Sequence, residues 1–307
     1  MTTTTPMITT PGPVPQRKLT RAEKRAVDAK TKLSSPAASV IAIAIAILWT
    51  IPTLGLLITS FRPELDIRRS GWWSFFSDPA LTLENYNEVL YGSSTNISTA
   101  LINSLVITIP AVVIPLTLAL LAAYAFAWIP FKGRNVLFVA VFALQVVPIQ
   151  VTLIPLLTLY VDSGLAGSFW AVWLSHAMFG LPLAIFLLHN FMKDIPASLI
   201  EAARMDGAGH VLIFFRVLLP LLTPAIAAFG VFQFLWVWND LLVSLTFAGT
   251  GNIAPLTVRI ADLSGTRGTA WYLLSAGAFI SMLVPLAVFL GLQRFFVRGL
   301  LSGGVKG

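Results

Sequence analysis

The sequence predicts an all-α polytopic membrane protein with six transmembrane helices. Composition is the first observation behind this. Of 307 residues, 57% are hydrophobic and only 11% charged, whereas soluble domains hold roughly 25% charged residues. Mean hydropathy is +0.84, more apolar surface than one soluble core of this length can hide. The second observation is segment length. Apolar windows near 37–60, 100–129, 135–160, 166–190, 216–247 and 272–297 each reach the about 20 residues that a bilayer core demands.

Each element follows in order. Residues 1–36 begin Thr- and Pro-rich and turn basic from Arg17 to Lys32, which predicts a disordered basic tail. The first window is too long for a signal-peptide core of about 7–15 residues and reads as a span. Residues 61–99 form the longest hydrophilic connection, with Trp72, Trp73, Phe75 and Phe76 suited to an interfacial belt. Pro220 and Pro224 near the start of the fifth window predict a tilt or break there. The transmembrane domain closes near 299, and residues 300–307 form a C-terminal tail.

Positive charge sets the expected orientation. With the N-terminus inside, fifteen Lys and Arg fall in inner segments and five in outer ones. This predicts that both termini are cytoplasmic and that 194–213, between spans 4 and 5, lies on the same side.

Several function classes lack their residues. There is no cysteine, so disulfides and thiolate metal sites are excluded. The three histidines show no HExxH spacing, no metal site is expected, and no P-loop motif is present. No catalytic residue and no cofactor are therefore expected in this chain. The basic residues lie between spans rather than on one soluble face, which argues against nucleic acid.

The segment 201–220, EAARMDGAGHVLIFFRVLLP, collects charge between two apolar runs. Pro196 suits a first helical turn, SLIEAARMD favours helix, and Gly207 suits a left-handed C-terminal position. A short helix over about 196–206 is predicted, too short and too charged to span. Ala202 and Ala203 leave little bulk for a docking partner to meet, and Glu201 and Asp206 give a polar rim. An ordinary solvated interfacial loop is the competing reading.

This segment resembles the EAA loop of ABC importer permeases. The family pattern is Glu-Ala-Ala, three residues, Gly, nine residues, Ile, any residue, Leu-Pro. Here Glu201-Ala202-Ala203 leads to Gly207, then Val217 stands for Ile, and Leu219-Pro220 closes the motif. Asp206-Gly207-Ala208 is similar to the carbohydrate branch. Trp238-Asn239-Asp240, LINSL at 101–105 and the tail FFVRGLLSGGVKG resemble the maltose-type, MalG-like subunit. The likeness covers about 38–307.

The resemblance implies a cytoplasmic coupling helix that docks on an ATPase, with Leu219-Pro220 carrying its motion into the spans. It implies a multi-pass plasma-membrane subunit that pairs with a second, homologous permease, two ATPase subunits that bind ATP and Mg, and an extracytoplasmic sugar-binding protein. Transport of a sugar, first an α-glucoside such as maltose or trehalose, follows by alternating access. An ABC permease for another solute and an ion-coupled secondary transporter are the alternatives.

The fifth window holds polar groups that lipid disfavours. An acid at mid-membrane costs about 2.5–3.5 kcal/mol on insertion scales, so Asp240 is expected to face a cavity or a partner. Read as one helix, the window places Gln233, Trp236, Asp240 and Ser244 on one face. With Trp238 and Asn239 they suit either sugar contact or gating contacts between helices. Gln145 and Gln150 in the third window carry the same two readings. The turn Gly249-Thr250-Gly251-Asn252 either connects spans 5 and 6 or probes the binding protein.

Overall fold

The computed structural model of the protein describes residues 36–92, 97–249, 251–264 and 271–304. The predicted tail up to 35, Thr250 and the last three residues of the C-terminal tail lie outside the described residues. By packing, the chain divides into one unit ending at Gly55 and another from Leu56 onward.

The spans are built from helices, and no strand occurs among the described residues. α1 (Pro36–Ser60) has 25 residues, about 37 Å at 1.5 Å per residue, enough to cross a bilayer core. Within the first unit, the Thr50 hydroxyl donates to the Ala46 carbonyl at 2.7 Å, which satisfies it without water. α2 (Glu64–Arg69), a 3₁₀ turn (Trp72–Phe76) and α3 (Glu84–Tyr91) make up the following connection.

That connection folds around one cation. Arg62 is 4% exposed. Its guanidinium donates to the carbonyls of Asp66, Ser70 and Gly71 and to the hydroxyls of Ser70 and Ser74, at 2.7–3.2 Å. The planar fork of donors makes this wrap possible. The Asn85 amide then donates to the Ser60 and Arg62 carbonyls, and Ser60 and Tyr86 share a 2.7 Å hydrogen bond. Burial pushes the Tyr86 phenol up, while the Ser60 bond works against it. In the sequence Arg62 reads only as an outer charge; the fold makes it a core residue.

α4 (Ile97–Trp128) and α7 (Phe169–Lys193) share the most extensive packing. Ala119, Ala123 and Ala127 repeat every four residues on α4 and are all buried. They lie in one cluster with Ala184, Ile185 and Leu188 of α7. Small side chains let two backbones approach closely, the usual route to association where lipid is as apolar as protein.

Two predicted spans differ from the structure. The window at 135–160 is a bent pair, α5 with its 3₁₀ end (Arg134–Val146) and α6 (Ile149–Asp162), meeting at 97°. Pro148 has no N–H and disfavours helix at the residue before it, and Val147 is extended with ψ 120°. The window at 216–247 bends where Pro220 and Pro224 predict a break, and it is interrupted a second time after Trp238. A short helix, α8 (Ala197–Met205), precedes α9 (His210–Leu221), which bends by 71° into α10 (Thr223–Trp238). Pro220 and Pro224 flank that bend, and Ile213–Leu218 within α9 is π-helical. α10 stops at Trp238, and α11 (Leu242–Ala248) starts anew. Asp240 and Ser244 therefore lie beyond the end of the helix that carries Gln233 and Trp236, and the expected single face does not exist.

α12 (Leu256–Ser264) and α13 (Trp271–Gly304) complete the described chain. The segment before α12 is held from α4. The Asn103 amide donates to the Asn252 and Ala254 carbonyls at 2.7 and 3.1 Å, and the Leu256 N–H donates to the Ser104 hydroxyl at 2.8 Å. Among the described residues, four helices are long and apolar enough to cross a membrane, six when each bent pair counts as one span.

Arg62→Met should strip five acceptors of their charged donor and destabilise the connection by at least about 3 kcal/mol. Limited proteolysis of the purified protein should then cut within 61–92, and Arg62→Lys should restore only part of the protection. Equal protease resistance in all three proteins would show that Arg62 does not organise this segment.

Candidate functional site

Two places on the chain concentrate function-bearing side chains. The first is α8 and the turn after it. Pro196 precedes the helix, and Gly207 ends it with φ +82°. The Ala208 N–H donates to the Ala203 carbonyl and the Gly207 N–H to the Arg204 carbonyl, the paired closure of a Schellman turn. A Cβ added to Gly207 meets no atom of this chain within 4 Å. Glycine is needed there for its backbone angle, not for room inside the chain.

α8 has an inward and an outward side. Ile200 is 2% exposed and joins the α4 and α7 cluster, together with Ile213, Leu218 and Leu222. Glu201, Ala202, Asp206, Gly207 and Pro220 are exposed. Ala203 and Leu219 are half-buried against the chain's own cluster, so Ala202 alone of the alanine pair faces fully outward. The Tyr124 hydroxyl and His210 Nδ1 share a 2.7 Å hydrogen bond, and the Tyr124 ring meets Phe214 edge-on. These contacts tie the segment to α4. Sequence reading missed Tyr124 and His210 because 86 positions separate them.

The second place surrounds the gap between α10 and α11. The Asp240 carboxylate accepts the N–H groups of Val243 and Ser244, at 3.2 and 2.8 Å. It thus takes two of the four donors that a helix start leaves free. The Thr257 hydroxyl donates to the Asp240 carbonyl at 2.7 Å. His176 Nε2 stands 3.5 Å from the same carboxylate. His176 Nδ1 faces the Val172 carbonyl at 3.0 Å, so it must hold a proton to bond there. Asp240 therefore ties α11 and α12 at the break, with His176 of α7 beside it and not hydrogen-bonded to it.

The other predicted residues separate. Trp238 is buried, stacks on Phe234 and donates its indole N–H to the Ser281 carbonyl at 3.1 Å. The Asn239 amide donates to the Leu235 carbonyl of its own helix at 2.7 Å and closes α10. Gln233 is fully buried, and its Nε2 reaches the carbonyls of Ala111 and His176 at 3.3 and 3.4 Å. Trp236 meets the His176 ring edge-on. Gln145, Gln233 and Trp236 line one cavity of about 190 Å³. Gln145 and Gln150, on opposite sides of the Pro148 break, line a neighbouring one of about 390 Å³.

Comparison with known proteins adds four findings. The profile of the family described as "Binding-protein-dependent transport system inner membrane component" matches residues 115–302. The osmoprotective compounds uptake permease protein GgtD of Synechocystis sp. is 55% identical over 267 residues, covering 85% of this chain and 89% of that protein. The alpha-glucoside transport system permease protein AglG of Rhizobium meliloti is 51% identical over 260 residues, covering 81% of this chain and 68% of that one. A chain in the crystal structure of a bacterial ABC transporter for alginate import shares the fold, with a TM-score of 0.68 at 20% identity. That match covers 92% of this chain and 100% of the other.

Asp240→Ala should uncover the first turn of α11 and free the Thr257 side of the break to shift, lowering stability by about 1–2 kcal/mol. A thermal melt of the purified protein checks this. An unchanged melting temperature would remove Asp240 from the cap.

Proposed function

The chain belongs to the family of binding-protein-dependent transport system inner membrane components, and on that premise we propose that it is the permease subunit of an ATP-driven sugar importer. It is a multi-pass plasma-membrane protein. The observation that carries the proposal is the outward side of α8. Glu201, Ala202 and Gly207 stand exposed, while Ile200, Ile213 and Leu218 lock the same segment into the core. An element that is packed on its inner side and exposed on its outer side is suited to pass on a push.

In this reading α8 is the cytoplasmic coupling helix and seats on an ATPase subunit that binds ATP and Mg. Closure of the ATPase pair displaces α8. Packed interiors transmit strain rather than absorb it. The shift therefore passes through Ile200 and the Tyr124–His210 bond to α4 and α7, and through Leu219-Pro220 to α10. A second, homologous permease completes the pathway, and an extracytoplasmic binding protein delivers the sugar. Both termini are cytoplasmic. The chain itself performs no hydrolysis.

An α-glucoside such as maltose or trehalose is the proposed cargo. Support comes from the relative named for α-glucoside transport. A small, neutral, strongly hydrated glucoside is also compatible with the name of the relative that takes up osmoprotective compounds.

Glu201→Lys and Gly207→Asp should each lower ATP-driven uptake at least about tenfold, a loss of about 1.4 kcal/mol in coupling, while the protein still inserts. Co-purification with the ATPase and uptake of labelled sugar are the measurements. Normal uptake with full ATPase retention in either variant would refute the docking role. Met205→Cys should react with impermeant thiol reagent only from the cytoplasmic side and Asn252→Cys only from outside. The reverse pattern would invert the topology.

A further inference from the structure

We propose that this chain holds its own binding site for one neutral, hydroxyl-rich ring of the cargo, in the hollow beside the broken third span. The proposal rests on the importer reading and adds where, within this subunit, the sugar is held.

The break at Val147-Pro148 turns the helix wall aside, and the space it leaves is lined by Gln145, Ile149, Phe179, Phe232, Gln233 and Trp236. Its volume is about 190 Å³. The neighbouring hollow of about 390 Å³ shares Gln145, Ile149 and Phe179 and adds Gln150 and Thr152. Sites for small ligands typically measure about 300–1,000 Å³, so the two hollows together have room for a sugar ring. No Asp, Glu, Lys or Arg lines either one, which selects an uncharged ligand.

Gln233 supplies the decisive group. Its side-chain oxygen is buried and has no hydrogen-bond partner within the chain. The amide cannot simply turn over, because Nε2 already faces two carbonyls, those of Ala111 and His176. Turning it would set oxygen against oxygen. Gly180, in the wall of the same hollow, makes room for the amide. A Cβ there would stand 2.7 Å from both Gln233 Nε2 and Oε1, so glycine is what admits the glutamine. A buried acceptor left unpaired is unfavourable and calls for a donor. A sugar hydroxyl is such a donor. Trp236 and Phe179 offer flat faces to the C–H side of a ring, and Gln145 can both donate and accept. Asp240 and Asn239 line neither hollow and are taken up in closing the helix ends.

The absence of cysteine from the chain makes a clean test possible. Gln145→Cys and, separately, Ile154→Cys would be placed in the full complex with second permease, ATPase and binding protein, reconstituted in vesicles with ATP. Ile154 is 75% exposed and lines neither hollow. Thiol modification of this chain is followed by mass, with maltose and with trehalose as probes. At about ten times its apparent Kd, the transported sugar should slow modification at 145 about tenfold, as the unoccupied fraction falls, and leave 154 unaffected. Equal rates at 145 with and without a sugar that the complex takes up would overturn the site and leave the importer reading standing. Equal slowing at both positions would also overturn it, because that reports closure rather than occupancy. A wild-type complex that takes up neither sugar under ATP would bring down the sugar reading itself, and the site with it.

Discussion

In a hydrocarbon solvent no water comes to rescue an unpaired backbone group, so each interruption of a helix must be closed by the protein itself. The gap between α10 and α11 shows how this chain meets that demand. Asn239 closes the helix that ends, Asp240 opens the helix that begins, and the Thr257 hydroxyl takes the carbonyl between them. The three consecutive residues Trp238, Asn239 and Asp240 thus act on three different neighbours. Polar side chains that look like a ligand site in the sequence are the fittings of a broken span.

The same constraint separates structural from receptive groups. A side chain already paired within the protein has little left to offer a ligand. Asp240 is engaged by two N–H groups and faces His176. Gln233 is engaged on its nitrogen only, and its oxygen is the group still to be met. The hollow beside Pro148 therefore has a different character from the gap after Trp238, although both arise from an interrupted helix.

Burial and exposure meet in α8. Three alanines on α4 bring it close to α7, and the loop residues Ile200, Ile213 and Leu218 finish that same cluster. α8 is thereby continuous with the most closely packed part of the molecule while its polar side faces out. The Schellman closure at Gly207 gives the helix a sharp end, which leaves the following π-helical turn to lead back toward the bend before α10.

Much of this was legible in the residues alone. Long apolar windows marked where helices cross, because lipid requires a minimum run. Pro196 and Gly207 marked the ends of α8, because each has a backbone angle that suits one end of a helix. Pro148, Pro220 and Pro224 were visible too, but a proline tells only that a bond is missing, not whether the chain kinks or stops. The core role of Arg62, the Tyr124–His210 tie and the His176–Asp240 pair were not legible. They join residues brought together by folding, and in a span that is apolar on every side no periodicity distinguishes the face that meets protein from the face that meets lipid. The sequence by itself determined that the chain is helical and crosses the membrane more than once. The tertiary structure decided where the crossings break and which polar groups remain unpaired, because that depends on which neighbour supplies the missing hydrogen bond.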